Sequence, residues 1–223
     1  MSGYDLDNLT NCKFCPRLVA YRSSVALKKG RTRSDYLGAP VPGFGDLSAP
    51  IALIGMAPGA QGANRTGRPF TGDGAGDFMF PLLYEAGLAN GPESVALGDG
   101  FELTGLYITN AVKCVPPENK ATTEEFNRCR PYLQQELDMM PNLKLVILLG
   151  LDAFKSYLKL LRDGGQVKRL ADYPFGHEKH YDLQGGPALL ASYHTSRYNV
   201  QTGRMTQQMF LSLLDKAKKL ADR

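Results

Sequence analysis

Several features are missing from this chain of 223 residues. No apolar run is long enough to span a bilayer. The opening stretch, MSGYDLDNLTNC, has neither the basic start nor the apolar segment of a secretory signal. There is no internal repeat and no low-complexity segment. We therefore expect a soluble intracellular protein without a membrane partner, in which free thiols stay reduced.

The usual phosphate-binding loops are also absent. The glycine-rich stretch GMAPGAQGANRTGRPFTGDGAGDF, residues 55–78, lacks the GK[ST] ending of a P-loop and the G-x-G-x-x-G spacing of a dinucleotide site. A loop of this kind is often only a tight connection. Glycines at a strand end nevertheless let backbone amides approach a ligand closely, which makes Gly55, Ala57 and Gly59 candidates for substrate binding.

Cysteine is scarce, and its spacing is unusual. Cys12 and Cys15 form a C-x2-C pair, Cys114 and Cys129 lie far along the chain, and the second short knuckle of a zinc ribbon is missing. Four cysteines suit an all-cysteine iron–sulfur cluster or an all-cysteine zinc site. The alternative is a lone knuckle with two buried core thiols. The count does not separate these possibilities.

Basic residues exceed acidic ones only slightly, 26 to 22, and they are grouped. Residues 28–33 read KKGRTR, Arg65 and Arg68 lie in the glycine-rich stretch, and Arg197 and Arg204 follow a histidine. Each group alone is typical of a solvated surface. Their recurrence beside other motifs favours contact with a phosphate backbone.

Four apolar runs predict strands, namely APIALIGMAPG, LYITNAV, KLVILLG and ALLASYH. Continuous rather than alternating apolarity indicates strands covered on both faces, as in a parallel sheet. Helical stripes fall between and after these runs. The pattern predicts an α/β fold, a three-layer α/β/α domain with a central, mainly parallel four-stranded sheet.

Particular residues mark where two of the helices begin. Thr122 and Glu125 form a capping box before one helical stripe. Pro81 constrains where the regular helix after the first strand begins. Ligands in such sheets bind at the carboxyl ends of the strands. We therefore look for chemistry at GMAPG, TNAVKC, LLG and SYH.

These motifs together resemble the uracil-DNA glycosylase superfamily, in its prokaryotic iron–sulfur branch, and most closely family 5 (type B). The resemblance runs through CKFC, PVPGFGD, GMAPGAQGANRTGRPFTGD, ITNAVKC, Cys129 and HTSRYNVQTGRMT, nearly the whole chain. It implies one domain over residues 1–223 with an N-terminal arm, residues 1–48. It also implies a monomeric cytoplasmic enzyme that flips uracil out of double-stranded DNA and leaves an abasic site.

The resemblance further implies a cofactor, a [4Fe–4S] cluster held by Cys12, Cys15, Cys114 and Cys129. Because Cys114 lies four residues after Asn110, the cluster is expected to brace the arm beside a strand end that carries the site. Its implied role is structural, and no second cluster or partner motif supports electron transfer.

Three residues are expected to handle the base. Asn110 offers a donor and an acceptor that match the edge of uracil, Phe70 stacks on the flipped base, and His194 donates to uracil O2 as negative charge develops. Asn110 and Phe70 have simpler alternatives, since Asn is common in turns and Phe in cores. His177 and His180 carry no matching motif, and we expect them on the surface.

The catalytic acid is less obvious, because Met56 stands where family 4 enzymes carry a carboxylate. The nearby TGD motif makes Asp73 the candidate that positions water, whereas Asp77 suits the N-terminus of a helix. Arg197 and Tyr198 lie in the loop expected to enter the duplex, with exposed loop as the alternative. Arg65, Arg68 and Arg204 complete the expected DNA contacts.

Two further departures distinguish this chain from many relatives. Gln61 stands near a position where relatives have histidine, and Thr195 replaces the proline of a His-Pro-Ser motif, which removes a constraint after His194. Two other functions stay open at this point. One is a non-catalytic iron–sulfur protein that binds damaged bases in nucleic acid, favoured by Met56. The other is an iron–sulfur redox or regulatory protein.

Overall fold

The computed structural model describes residues 6–222; the first residues of the predicted arm, 1–5, and Arg223 lie outside the described range. Six strands form one sheet within that range. They are β1 (Phe44–Gly45), β2 (Ile51–Gly55), β3 (Leu106–Asn110), β4 (Leu145–Leu149), β5 (His180–Tyr181) and β6 (Ala188–Ser192).

The sheet has the order β1-β3-β2-β4-β6-β5. Its four central strands pair in parallel, as predicted, and Gly55 lies opposite Asn110 at the carboxyl ends of β2 and β3. The prediction of four strands missed β1 and β5, which pair antiparallel at the two edges. Each of these edge strands has only two residues, too few to produce an apolar pattern in the sequence.

Seven α-helices occur in residues 6–222. They are α1 (Pro16–Ser24), α2 (Ala63–Thr66), α3 (Gly74–Glu85), α4 (Thr123–Asp138), α5 (Leu151–Asp163), α6 (Arg197–Gln201) and α7 (Gln207–Ala221). None of the described helices has the length and apolarity required to cross a membrane.

The long helices cover both faces of the sheet. Helices α3 and α7 pack together on one face, where Met79 and Phe210 join its core. Helices α4 and α5 pack on the other face, where Leu133 and Phe154 are buried. All residues of β2, β3 and β4 are buried, because strands between two helical layers expose neither face. The predicted three-layer α/β/α class is confirmed.

Helix α3 begins earlier than Pro81 suggested. The side chain of Asp73 caps its N-terminus, and the helix then runs through Pro81. Pro81 is exposed, so its missing N–H leaves a carbonyl toward water rather than in the core. The capping box of α4 is present as predicted, with Thr122 and Glu125 each accepting from the other's backbone N–H.

The described part of the arm packs against α4. Leu9 and Leu18 share a hydrophobic cluster with Tyr132 of α4. Arg17, two residues after Cys15, forms a salt bridge of 2.6 Å with Glu125. Arg17 also donates to the carbonyl of Lys120 at 2.9 Å. Helix α1 is thus fixed to the segment that leads from β3 into α4.

Candidate active site

A cavity of about 720 Å³ opens at the carboxyl ends of the central strands. This is the edge where parallel α/β sheets bind ligands. The cavity brings together eight of the predicted site residues, and these are Ala57, Gly59, Phe70, Asp73, Asn110, His194, Arg197 and Arg204. They come from five separate segments of the chain, so the fold rather than sequence proximity assembles them.

Gly55, buried at the end of β2, does not line the cavity itself but packs behind two residues that do. A Cβ built on Gly55 would lie 2.6 Å from Phe70 Cζ and 2.6 Å from Asn110 Oδ1, closer than atoms pack. Glycine is therefore required for the ring and the carboxamide to lie against the end of β2. Phe70 has φ of 60°, the left-handed region that a bulky residue rarely adopts. Strained backbone of this kind clusters at functional sites.

Asn110 is almost fully buried, with a relative exposure of 2%. Its Oδ1 is buried and accepts no hydrogen bond from the described residues. Buried polar atoms are normally paired, so an orphan that borders a cavity requires an explanation. A ligand that donates a hydrogen bond to Asn110 satisfies it.

His194 lies opposite Phe70, with ring centroids 6.1 Å apart. Burial lowers the pKa of His194 to about 4, so the imidazole is neutral at physiological pH and carries one N–H donor. Asn199 Nδ2 donates to the His194 carbonyl at 2.8 Å, and Ser196 caps α6. These contacts hold the backbone that follows His194, where this chain has Thr195.

Asp73 combines a structural and a pocket role. Its Oδ1 accepts from the backbone N–H groups of Ala75 and Gly76, at 3.0 and 3.1 Å. Its Oδ2 lies against Gly59 and Gly62, where a Cβ would collide with the carboxylate. Burial raises the pKa of Asp73 above the ordinary value. Asp77, by contrast, is exposed in the first turn of α3 and does not line this cavity.

The predicted DNA-contacting residues occupy different environments. Arg197 and Arg204 are exposed on the cavity wall, and Arg197 packs on Gly74 beside Asp73. Tyr198 follows Arg197 and is 72% exposed. Arg65 is half-buried, and its Nε donates to the carbonyl of the cavity residue Gln61 at 2.9 Å.

Arg68 does not join this rim, because its side chain is only 3% exposed. Both Nη atoms donate to Asp99, at 3.0 and 2.9 Å, and the guanidinium lies 4.4 Å from the centroid of the Phe44 ring. A buried, bidentate arginine cannot reach a phosphate without breaking this pair. Its role in this structure is to hold the loop that contains Asp99.

Tyr193 is a cavity residue that the sequence did not single out. Its ring stacks on His177, with centroids 5.2 Å apart, and the Arg204 guanidinium lies 4.5 Å above it. The expectation that His177 lies on the surface was wrong, because its side chain is 13% exposed behind Tyr193. His180 is likewise only partly exposed, in β5. The position of Tyr193 directly before His194 at a strand end was the available signal.

The four cysteines surround a second, small cavity between α1, α4 and the segment after β3. Cys114 and Cys129 are buried, and Cys12 and Cys15 are partly buried. Arg22 Nη1 donates to Cys114 Sγ at 3.1 Å, and the backbone N–H of Lys113 donates to Cys129 Sγ at 3.2 Å. The fold thus brings the C-x2-C pair to the two distant cysteines.

Their environment differs from that of reactive thiols. Burial raises the pKa of Cys15 to about 11 and that of Cys129 to about 12, so both are protonated without a metal. No group of three or more histidine, cysteine or acidic side chains in residues 6–222 is arranged to hold a single metal ion. In a cubic iron–sulfur cluster each cysteine binds a different iron, so the thiols need not converge on one point.

Fold and pocket define an α/β protein of the class that binds its ligand in a cavity at the carboxyl edge of a mainly parallel sheet, here beside the Oδ1 of Asn110, unpaired among the described residues. The family model described as "Uracil DNA glycosylase superfamily" matches residues 42–218. The chain therefore belongs to the uracil DNA glycosylase superfamily. The sequence motifs indicated a resemblance to family 5. Similar proteins named as type-5 uracil-DNA glycosylases confirm it.

Three relatives illustrate the degree of similarity. A type-5 uracil-DNA glycosylase of Thermus thermophilus is 50% identical, over 97% of this chain and 96% of that protein. A type-5 uracil-DNA glycosylase of Pyrobaculum aerophilum is 41% identical, over 95% of this chain and 90% of that protein. A type-4 uracil-DNA glycosylase of the same organism is 31% identical, over 74% and 67% respectively.

Proposed function

We propose that this protein is a uracil-DNA glycosylase that hydrolyses the N-glycosidic bond of uracil in duplex DNA and leaves an abasic site. The observation that carries the proposal is the orphan Oδ1 of Asn110, buried against Phe70 in the cavity. Uracil has an N–H donor beside a carbonyl acceptor, and a carboxamide matches that edge. The type-5 relatives, similar over nearly the whole chain, support the same activity.

In this proposal the chain stabilises the departing base. Phe70 stacks on the flipped uracil, Asn110 binds its polar edge, and backbone amides near Gly55, Ala57 and Gly59 approach it closely. His194 donates a hydrogen bond to O2 as negative charge develops there. Its low pKa, about 4, fits a neutral donor better than a proton-transferring acid. Loss of one such donor typically lowers the rate by roughly 100- to 1,000-fold.

Asp73 is the proposed partner of the sugar and of the attacking water. Its Oδ1 is occupied by two backbone N–H groups, which leaves Oδ2 for this role. Met56, a cavity residue, supplies no charge at the position where family 4 has a carboxylate. Among the described residues, no lysine lines this cavity, so a Schiff base with the sugar is not expected and the enzyme is proposed to be monofunctional.

The substrate range is proposed to include other deaminated bases. A cavity of about 720 Å³, with an uncharged Met56 at its wall, leaves space beyond a pyrimidine ring. We expect some excision of hypoxanthine from duplex DNA. A panel of duplexes, each with one modified base, tests this, and strict cleavage at uracil would contradict it.

Duplex DNA is proposed to lie across the rim of the cavity. Arg197 and Arg204 stand on one side, and Tyr198 is placed to fill the vacated stack or to contact phosphate. Arg65 stands on the other side, beside Gln61. The basic segment 28–33 adjoins that side, since Tyr36 joins it to Gln61 by a hydrogen bond to each. Arg68, buried with Asp99, is left out of this surface.

The four cysteines are proposed to hold a [4Fe–4S] cluster. When bound, the cluster supplies a covalent tether between the N-terminal arm and the segment after Asn110. The chain contributes the thiols of Cys12, Cys15, Cys114 and Cys129, and Arg22 offsets negative charge at Cys114. Four thiols also suit zinc, and it is the resemblance to the iron–sulfur branch of the superfamily that favours iron.

Further proposals concern the state of the protein. We take residues 1–223 as one domain whose N-terminal arm, 1–48, carries two cluster cysteines. It is proposed to act as a monomer in the prokaryotic cytoplasm, where chromosomal DNA lies. A non-catalytic damage-binding protein is not favoured, because the similar proteins are named as enzymes.

Formation of abasic sites tests the proposed function. A duplex with one uracil opposite guanine is incubated with the holoprotein, and the abasic site is detected by alkaline cleavage. We expect cleavage at uracil only after alkali, and none in a matched duplex with thymine. Binding of the uracil duplex without abasic sites would favour the non-catalytic alternative. Trapping of a covalent DNA complex by borohydride would contradict a monofunctional enzyme.

A further inference from the structure

A lysine and a glutamate lie paired in the interior behind the active site. The Lys113 side chain is 1% exposed and that of Glu136 is 3% exposed, and Lys113 Nζ forms a salt bridge with Glu136 Oε2. Lys113 Nζ also donates to Thr109 Oγ1 at 2.5 Å, and Thr109 Oγ1 donates to Glu136 Oε2 at 2.7 Å. Lysine and glutamate are rarely buried, and a buried pair carries a large desolvation cost.

The network joins separate parts of the chain around this pair. Glu136 Oε1, from α4, accepts from the backbone N–H of Gly43 at 3.0 Å. The Lys113 carbonyl accepts from the N–H of Val41 at 2.7 Å. The Lys113 N–H donates to Cys129 Sγ at 3.2 Å. Hydrogen bonds to β3, to α4 and to the N-terminal arm therefore hold the segment that follows β3.

The network adjoins the residue that binds the base. Thr109 directly precedes Asn110, and Lys113 lies three residues after Asn110. The carboxamide oxygen of Asn110 has no partner among the described residues, so no hydrogen bond at that atom sets its direction. Its direction is set instead by packing against the end of β2 and by the backbone at the end of β3. The backbone N–H groups of Ala111 and Val112 donate to the carbonyls of Gly55 and Met56, at the end of β2, each at 2.9 Å.

We propose that Lys113 and Glu136 are positioning residues, which fix the end of β3 so that Asn110 meets the base. The inference rests on the proposed function. Stability alone does not account for the pair, because apolar residues of similar size often replace buried ion pairs without loss. The ion pair holds the backbone beside Asn110 through hydrogen bonds, which an apolar pair of similar size could not form. Misplacement by about 1 Å lowers an enzymatic rate by roughly 100-fold.

The test is a double-mutant cycle on excision by folded protein. Single-turnover rates on a uracil duplex, with enzyme in excess and Kd measured separately, are compared for Lys113→Met, Asn110→Ala and the double variant. We expect Lys113→Met alone to lower the rate roughly 10- to 100-fold at unchanged Kd. In the Asn110→Ala background the same change should cost less than about threefold, because residues acting through one another are non-additive.

Two further variants keep the test decisive. Glu136→Gln retains the shape, and its one carbonyl oxygen can accept from Lys113 and Thr109, but its NH2 group cannot accept from the N–H of Gly43. It replaces Lys113→Met in the cycle where the latter fails to fold. Leu161→Ala, buried on α5, is the control for destabilisation alone and should excise at the wild-type rate once folded.

Equal fold losses in both backgrounds, or a folded Lys113→Met protein at the wild-type rate, would overturn the positioning role. Absence of excision by the wild type would instead overturn the proposed function.

Discussion

Substitution of Gly55 by alanine removes the close approach on which the proposed base site depends. The added Cβ would lie 2.6 Å from Phe70 Cζ and 2.6 Å from Asn110 Oδ1. Non-bonded carbon atoms prefer about 3.5 Å or more, so the ring must retreat by about 1 Å. Phe70 is 6% exposed within the core and has a strained φ, which leaves it little room to move.

The expected effect follows from that displacement. A shift of about 1 Å in a reacting group lowers rates by roughly 100-fold, and overpacking costs about 1–3 kcal/mol of unfolding free energy. We expect both losses in Gly55→Ala. Single-turnover excision of uracil gives the rate, and urea unfolding gives the free energy.

The matched control is Gly91→Ala. A Cβ there meets no atom within 4 Å, and Gly91 is not among the glycines with positive φ. It should leave both quantities near wild type. A folded Gly55→Ala protein that excises uracil within about threefold of wild type would refute the proposed contact between β2, Phe70 and Asn110.

Three other predictions concern pH, the cysteines and salt. Because burial lowers the pKa of His194 to about 4, the folded state binds fewer protons than the unfolded state, whose histidine titrates near about pH 6.5. Stability should therefore fall as pH drops from about 6.5 to 4, by at most about 1.4 kcal/mol per unit for this group, and His194→Gln should flatten that slope in calorimetry. Cys114→Ala should lose the brown colour and the roughly four irons per chain that we expect of the holoprotein, and its Tm should be lower. Stoichiometric zinc without iron in wild-type protein purified anaerobically would contradict the cluster assignment. Arg197→Gln should reduce the slope of log K against log salt by about 0.9, whereas Lys144→Gln, at the opposite end of β4, should not; equal slopes for Arg197→Gln and wild type would exclude that phosphate contact.

The sequence predicted the central strands because strands covered on both faces are continuously apolar. The edge strands β1 and β5 were missed, because two residues are too few to produce an apolar pattern. The predicted start of α3 near Pro81 was also wrong, because an exposed proline is tolerated inside this helix. In that helix the cap is Asp73, a residue considered at first only for catalysis.

A place in the cavity lining was predictable for residues at or just after a strand end, such as Asn110 and His194. It was not predictable where a distant partner decides the environment. Arg68 is buried because Asp99, in a loop 31 residues later, takes its charge. Lys113 is buried for a similar reason, since Glu136 on α4 neutralises it. Such pairings depend on the tertiary fold, and neither residue's sequence neighbours reveal them.

The central claim is that this pocket breaks the glycosidic bond mainly by stabilising the departing base. Single-turnover excision of uracil by wild type, Asn110→Ala, His194→Ala and Asp73→Asn, with DNA binding measured separately, tests it most directly. The account predicts losses of roughly 100- to 1,000-fold for Asn110→Ala and His194→Ala, at least as large as for Asp73→Asn. An inactive Asp73→Asn beside a His194→Ala variant near the wild-type rate would contradict it and place water activation first.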